Sequence, residues 1–340
     1  MSAPRLGFVG LGWIGAMRMS AVAEAGAGEI AALCESVPER LQQAAEAHPQ
    51  AARFADLSQM LDRAGELGLD GVVIATPNAL HAEQTEAALD RGLAVFCQKP
   101  LALNASEARA MVRAAERADR LLGVDYSYRF TDGAQGLKRM VEAGELGRIF
   151  NVELVFHNAY GPDKPWCQDP RLAGGGALMD LGVHLIDLAF WLLDDPPVRK
   201  VRGGVFRQGE RLSLGRLTPR GEEVVDDFAS AWIDLREGDV LASLSVSWNA
   251  HAGKDCAIRA TVLGTGGGAE FRNVDGSFFD FELARFDGRS TSIVARESRD
   301  WLGRAILDWA RRLAESNRYD PEIERSVTVS EVVDAVYGRD

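Results

Sequence analysis

Short apolar runs alternate with amphipathic stretches of helical length through the first third of the chain. Leu6, Phe8 and Val9 suit a buried strand, and Ile14–Ala25 continues as an Ala- and Met-rich helix. The pattern repeats with a strand at Ile30–Cys34, a helix at Pro38–Ala47 with Pro in its first turn, a weak strand at Ala52–Phe54 and a helix at Leu57–Ala64. It goes on with Gly71–Ala75 (strand), His81–Arg91 (helix), Ala94–Cys97 (strand), Asn104–Ala118 (helix, capped by Asn104 or Ser106) and Leu121–Val124 (strand). Strands alternating with helices predict βαβ units and a doubly wound parallel sheet, an α/β Rossmann domain over residues 1–124.

The polar positions sharpen this picture. Each apolar strand ends in a distinctive group: Gly10–Gly12, Glu35–Ser36, Thr76-Pro77-Asn78, Gln98-Lys99-Pro100, and Asp125 followed by Tyr126–Arg129. A parallel sheet gathers all strand C-termini on one edge, where ligands bind. Gly10, Gly12 and Gly15 follow the first strand and open the first helix as G-x-G-x-x-G. The first permits a tight turn, the second a close approach to a pyrophosphate, and the third close helix–strand packing. Trp13 and Ile14 stand at the helix N-terminus, which favours phosphate. Glu35, about 20 residues on, ends the second strand where a carboxylate can take both ribose hydroxyls of an adenosine. It would repel a 2′-phosphate, which favours NAD; nearby Ser36 and Arg40 leave NADP open.

Beyond about Thr131 the rhythm changes. A helix at Asp132–Ala143 leads to longer, often alternating runs at Ile149–Phe156, Val201–Phe206, Val225–Leu235, Val240–Ser247, Ala257–Leu263 and Phe278–Phe286, with helices at Asp300–Ala314 and Ser330–Tyr337. This predicts an α+β domain over residues 125–340, built on an open, mainly antiparallel sheet with one face covered and the other available for self-association. The boundary falls near Gly123–Arg129. Within this half, Gly174–Leu193 stands out: three glycines run into an apolar helix on which Asp180, His184 and Asp187 form one polar stripe at i, i+4 and i+7. Buried polar groups there require partners, and Gly182 inside the helix implies close approach by another group. Lys99 ends a strand at the ligand edge, where a lysine serves proton chemistry better than at an ordinary surface turn.

Composition narrows the function. The chain has 340 residues, 46% hydrophobic and 26% charged, which suits two globular domains. A formal charge of −12 argues against nucleic acid. No run of about 18 apolar residues stands out, so no membrane span is expected, and the short lead before the first strand leaves no room for a signal peptide. The cysteines (Cys34, Cys97, Cys167, Cys256) lie far apart and read as reduced cytoplasmic thiols. With five scattered histidines, no metal site is expected.

The segments GFVGLGWIG, ATPNALH (Ala75–His81), CQKPLAL (Cys97–Leu103), VDYSYRF (Val124–Phe130), GGGALMDLGVHLID and the tail DAVY together resemble the glucose–fructose oxidoreductase / inositol 2-dehydrogenase (Gfo/Idh/MocA) family. The resemblance implies NAD(P)-dependent hydride transfer at a sugar, sugar-derivative or cyclitol carbon, and a homodimer or homotetramer formed through the second-domain sheet. It assigns Lys99 to the family's catalytic lysine and Asp180 with His184 to its D-x-x-x-H pair, with Thr76, Pro77, Asn78, His81 and Gln98 beside the cofactor. Arg129, Asn158, Tyr160 and Trp166 become candidate substrate walls. Gln98 departs from the family pattern, which usually has Glu before the lysine. Two rival readings use the same scaffold: a non-catalytic dinucleotide-binding regulator, and an NAD-dependent glycosidase.

Overall fold

The structure is a computed structural model that describes residues 3–213, 223–236, 239–298 and 301–339. The chain divides into two compact units. The first comprises residues up to Asp125 together with Gly303–Val327; the second comprises Tyr126–Leu302 and the residues from Thr328 onward.

Six short strands make the sheet of the first unit: β1 (Arg5–Val9), β2 (Glu29–Cys34), β3 (Ala52–Phe54), β4 (Gly71–Ile74), β5 (Ala94–Cys97) and β6 (Leu122–Val124). All pair in parallel, in the order β3-β2-β1-β4-β5-β6. The order reverses direction between β1 and β4, and in such sheets the crevice at that switch point receives the ligand. Leu6, Phe8, Leu33, Val72, Ile74, Val95 and Phe96 are fully buried, as strands covered by helices on both faces require. The helix at Ala105–Ala118 starts where Asn104 predicts: its side chain accepts from Glu107 N at 2.9 Å, and Glu107 reaches back to Leu103 N at 3.1 Å.

The sequence reading gave residues 125–340 wholly to the second domain, but the helix Arg304–Glu315 returns to the first unit. Trp309 explains the return. Its ring lies 5.6 Å from Phe96, and it packs so closely on β4 and β6 that a Cβ at Gly71 or Gly123 would stand 3.0 Å or 2.7 Å from it. Asp119 adds a polar tie by accepting from Arg318 and from Tyr319 N. The expected start of that helix, Asp300, lies outside the described residues.

Among its described residues the second unit holds nine strands: β7 (Ile149–Asn158), β8 (Val198–Arg207), β9 (Glu210–Arg211), β10 (Phe228–Leu235), β11 (Val240–Ser247), β12 (Cys256–Gly264), β13 (Gly267–Asn273), β14 (Asp280–Asp287) and β15 (Ser290–Ser298). Their order is β15-β14-β13-β12-β7-β11-β10-β8-β9. Every pairing is antiparallel except β11 with β7, so the sheet is mixed, and β9, β13 and β15 lie outside the six expected runs. Alternation is clear: Val152, Leu154 and Phe156 of β7 are buried with Ala242, Leu244 and Val246 of β11, while Glu153, Val155, Leu241 and Ser243 face the other side. The helical stretch Pro170–Leu192 is long and apolar enough to cross a membrane by length and composition, contrary to the sequence reading; 83% of that window is buried inside the fold, as befits a core helix.

Candidate active site

In the first unit the glycine loop follows the geometry its spacing demands. Gly10 has φ +81°, and a Cβ there would meet Ala75 O at 2.7 Å. A Cβ on Gly15 would meet Gly10 O at 2.0 Å, so loop and helix touch directly. Gly12 differs: nothing lies within 4 Å of a Cβ built on it. The helix Trp13–Ala25 opens immediately after Gly12, which offers no side-chain cap to its first N–H groups. Bare amides beside open space fit a pyrophosphate. Ile14 is half-buried, whereas the Trp13 ring is 62% exposed.

Glu35 is buried at the end of β2, and its carboxylate is already engaged. One oxygen accepts from Leu11 N at 2.8 Å, the other from Val37 N at 3.0 Å. The Ser36 hydroxyl also donates to the second oxygen, at 3.4 Å, so the side chain braces the glycine loop and the turn after β2. Ser36 and Arg40 are exposed.

Thr76, Pro77 and Asn78 follow β4, the strand beside β1, and Thr76 Oγ1 lies 2.7 Å from Gln84 Oε1. His81 is a correction to the expected cofactor contact. It is fully buried, with Nδ1 2.8 Å from Pro100 O and Nε2 2.9 Å from Thr76 O. The ring thus ties the Thr76 turn to the turn after Lys99. A neutral imidazole has one N–H for these two carbonyls. Charging the ring would satisfy both, yet burial pushes its pKa below the usual 6.5, with the nearby Lys99 charge acting the same way. Lys99 itself is half-buried, and the Lys99–Pro100 peptide is cis. Gln98, one residue earlier, is buried and donates through Nε2 to Asp125 Oδ2, which also accepts from Arg18 Nε at 2.5 Å.

In the second unit the helix bearing the polar stripe is not regular. Leu178–Gly182 is a π-helical turn and only Val183–Leu192 is α-helical, so Asp180 and His184 straddle the junction. Such wide turns recur at functional positions because they re-aim side chains. The glycines before the turn have a packing cause. A Cβ on Gly176 would lie 1.7 Å from Asp226 O, and one on Gly175 would lie 2.0 Å from the Tyr337 hydroxyl. Asp226, fully buried, accepts from Gly176 N (2.8 Å), Leu178 N (2.9 Å) and Tyr337 Oη (2.7 Å). Burial nevertheless raises its pKa.

Asp180 accepts from Trp248 Nε1 at 3.1 Å. His184 meets the edges of Tyr128 and Tyr126, at 5.0 and 6.4 Å between ring centroids. Tyr128 is further packed by Phe156, Phe281 and Trp301, and burial pushes its phenol pKa well above the usual 10. The sequence places Tyr128 in the group Tyr126–Arg129 at the ligand edge without a role of its own, and Trp248, an aromatic just past a strand end, is an addition from the structure.

The proposed substrate walls divide. Arg129 instead forms a bidentate pair with Asp187, Nε–Oδ2 2.6 Å and Nη2–Oδ1 2.7 Å, with its guanidinium 5.4 Å from the Tyr126 ring centre. Both partners are largely buried, so the third member of the stripe is answered within the fold. Asn158 closes β7 on the face shared by parity with Phe156, and its Oδ1 is buried without a hydrogen-bond partner among the described residues. Tyr160 is 54% exposed beside Phe278, and Trp166 is half-buried in the short turn Pro165–Gln168.

Residues 4–126 match the model of the oxidoreductase family with an NAD-binding Rossmann fold, and residues 134–270 match a C-terminal domain of the Gfo/Idh/MocA group. The rhizopine catabolism protein MocA of Rhizobium meliloti is 32% identical over 270 residues, 79% of this chain and 78% of that protein. The chain belongs to the Gfo/Idh/MocA oxidoreductase family. An Escherichia coli relative, D-glucoside 3-dehydrogenase, is 30% identical over 217 residues, 63% of this chain and 61% of its own length. The chain thus spans somewhat less than two thirds of that relative. Among solved structures, the aldose–aldose oxidoreductase from Caulobacter crescentus complexed with glycerol superposes with a TM-score of 0.83 at 22% identity, covering 99% of this chain and 97% of that one. Levoglucosan dehydrogenase complexed with NADH and L-sorbose gives 0.81 at 22%, covering 100% and 97%. These likenesses show that the fold is shared.

Proposed function

We propose that the protein is an NAD-dependent dehydrogenase that oxidises a CH–OH group of a sugar, sugar derivative or cyclitol, or reduces the corresponding ketone. The observation that carries this reading is the glycine loop: an open position at Gly12, uncapped helix amides and a fixed Glu35 carboxylate, in a chain whose relatives include named sugar dehydrogenases. Bound nicotinamide supplies the hydride acceptor. In this reading His184 takes the hydroxyl proton, its type being suited to transfer near neutral pH. Lys99 donates a hydrogen bond to the same oxygen and stabilises the developing negative charge. Asp180, held by Trp248, orients the substrate or His184. Asn158, Tyr160 and Trp166 contact the sugar. The Glu35 carboxylate, anchored at both oxygens, selects NAD over NADP. Pairs of copies associate through the open face of the second-unit sheet, where Trp232 is 52% and Phe150 44% exposed.

The test is a reduction assay of NAD and NADP over a panel of sugars, cyclitols and their acids. Turnover with at least one of them, abolished in Lys99→Met and His184→Asn while NADH binding persists, supports the reading. NADH binding without turnover on any of them identifies a dinucleotide-binding regulator, and hydrolysis of an aryl glycoside without net NADH formation identifies a glycosidase.

A further inference from the structure

Gln98 stands where the resemblance to the family leads one to expect Glu, and in the first unit its amide donates to a buried carboxylate. β5 and β6 are adjacent and parallel, with Cys97 opposite Val124, so the next residues of each strand, Gln98 and Asp125, are neighbours. Asp125 N bonds to Cys97 O at 3.0 Å, which fixes that alignment. Arg18 reaches them from the helix that opens at the glycine loop. All three side chains are buried: Arg18 3%, Gln98 6% and Asp125 1% exposed. Asp125 Oδ2 is the common acceptor for Arg18 Nε and Gln98 Nε2. A glutamate at position 98 would set two buried carboxylates against each other with one guanidinium between them, whereas the amide donates to Asp125.

We propose that Asp125 carries, one strand over, the buried negative charge that position 98 gives up, and that Arg18, Asp125 and Gln98 form one charge set positioning the strand end that presents Lys99. Charge at positions 98 and 125 is then exchangeable as long as the total facing Arg18 stays at one carboxylate. Titratable groups beside the set include the buried Cys97 thiol, which feels Asp125, and His81, which feels Lys99. Neither supplies a second carboxylate. The role of Lys99 as the group positioned rests on the function proposed above; the charge set does not.

The test is a double-mutant cycle in the full chain: Gln98→Glu, Asp125→Asn and the pair combined, melted from pH 5 to pH 8. Gln98→Glu is expected to lose about 10 °C at pH 8 and less at pH 5, because a crowded carboxylate takes up a proton on folding and stability falls as pH rises above the ordinary carboxylate range. The combined variant is expected within about 3 °C of the wild type throughout. Losses that simply add in the combined variant, or a Gln98→Glu deficit that does not change with pH, overturn the proposal. Should Asp125→Asn fail to accumulate, Gln98→Glu and the combined variant decide the matter alone. Positioning is read separately, by acetylation of Lys99 with limiting acetic anhydride at pH 8 and mass spectrometry. A change of about threefold or more in a single variant, reversed in the combined one, supports the role. Equal labelling of all the proteins removes it. Neither readout needs a substrate, so a failed turnover screen leaves this result standing.

Discussion

Tyr337 donates a 2.7 Å hydrogen bond to Asp226, 111 positions earlier, and both contact the glycines that lead into the helix of Asp180 and His184. The amides of Gly176 and Leu178 also donate to the Asp226 carboxylate, so the start of that helix is tied to one buried side chain. Tyr337→Phe removes a donor from a buried acceptor and is expected to cost about 1–3 kcal/mol. Chemical denaturation of the purified variant measures it, with NADH binding expected to be unchanged.

Two glycine substitutions separate packing from ligand binding. Gly176→Ala drives a methyl group into Asp226 O and is expected to abolish soluble, cooperatively melting protein. Gly12→Ala has open space and an ordinary φ of −63°, so its Tm is expected within about 2 °C of the wild type. Its NADH affinity is expected to fall about tenfold or more, because the methyl group occupies the approach to the phosphates. Fluorescence titration with NADH reads the second effect. Unchanged affinity would show that the pyrophosphate does not pass Gly12.

Glu35→Ser removes the carboxylate and its ties to Leu11 N and Val37 N. NAD affinity is expected to drop about tenfold, the size of one or two charge-assisted hydrogen bonds, with NADP affinity rising. Parallel titrations with NADH and NADPH check the exchange, and a wild-type preference for NADPH would remove this role.

Acid should destabilise the first unit partly through His81. Its folded pKa lies below the usual 6.5, so the unfolded chain binds a proton that the folded ring refuses. Stability from this group is complete above about pH 6.5 and declines as pH falls below it. The Tm drop from pH 8 to pH 5 is expected to be about 2–4 °C smaller in His81→Gln than in the wild type, whatever the variant's starting Tm.

Arg129→Met leaves Asp187 buried without its guanidinium and is expected to cost about 3–5 kcal/mol. The combination with Asp187→Leu is expected to regain most of that loss. Urea melts of the three variants distinguish this from a substrate role, which would spare stability.

Local signals carried the first unit well. Apolar runs matched each strand of the parallel sheet, and of the two expected caps, Asn104 and Ser106, the structure uses Asn104. What stayed hidden depended on contacts between distant residues. No local pattern says that Trp309 covers β4 and β6, so the return of Gly303–Val327 to the first unit was missed. The stripe of Asp180, His184 and Asp187 was legible as a spacing, yet the same spacing could not assign Asp187 to Arg129 or reveal the π-helical turn. The glycine triplet looked chemical, but Gly175 and Gly176 make room for Tyr337 and Asp226, and Gly174 turns the chain at φ +77°.

The helix Glu324–Tyr337 belongs to both units, with its residues through Val327 in one and those from Thr328 in the other. No single cut therefore releases either unit as an unbroken polypeptide. A fragment stopping at Asp125 would lack the tryptophan that roofs Phe96, and should be recovered as insoluble material unless Gly303–Val327 is supplied with it.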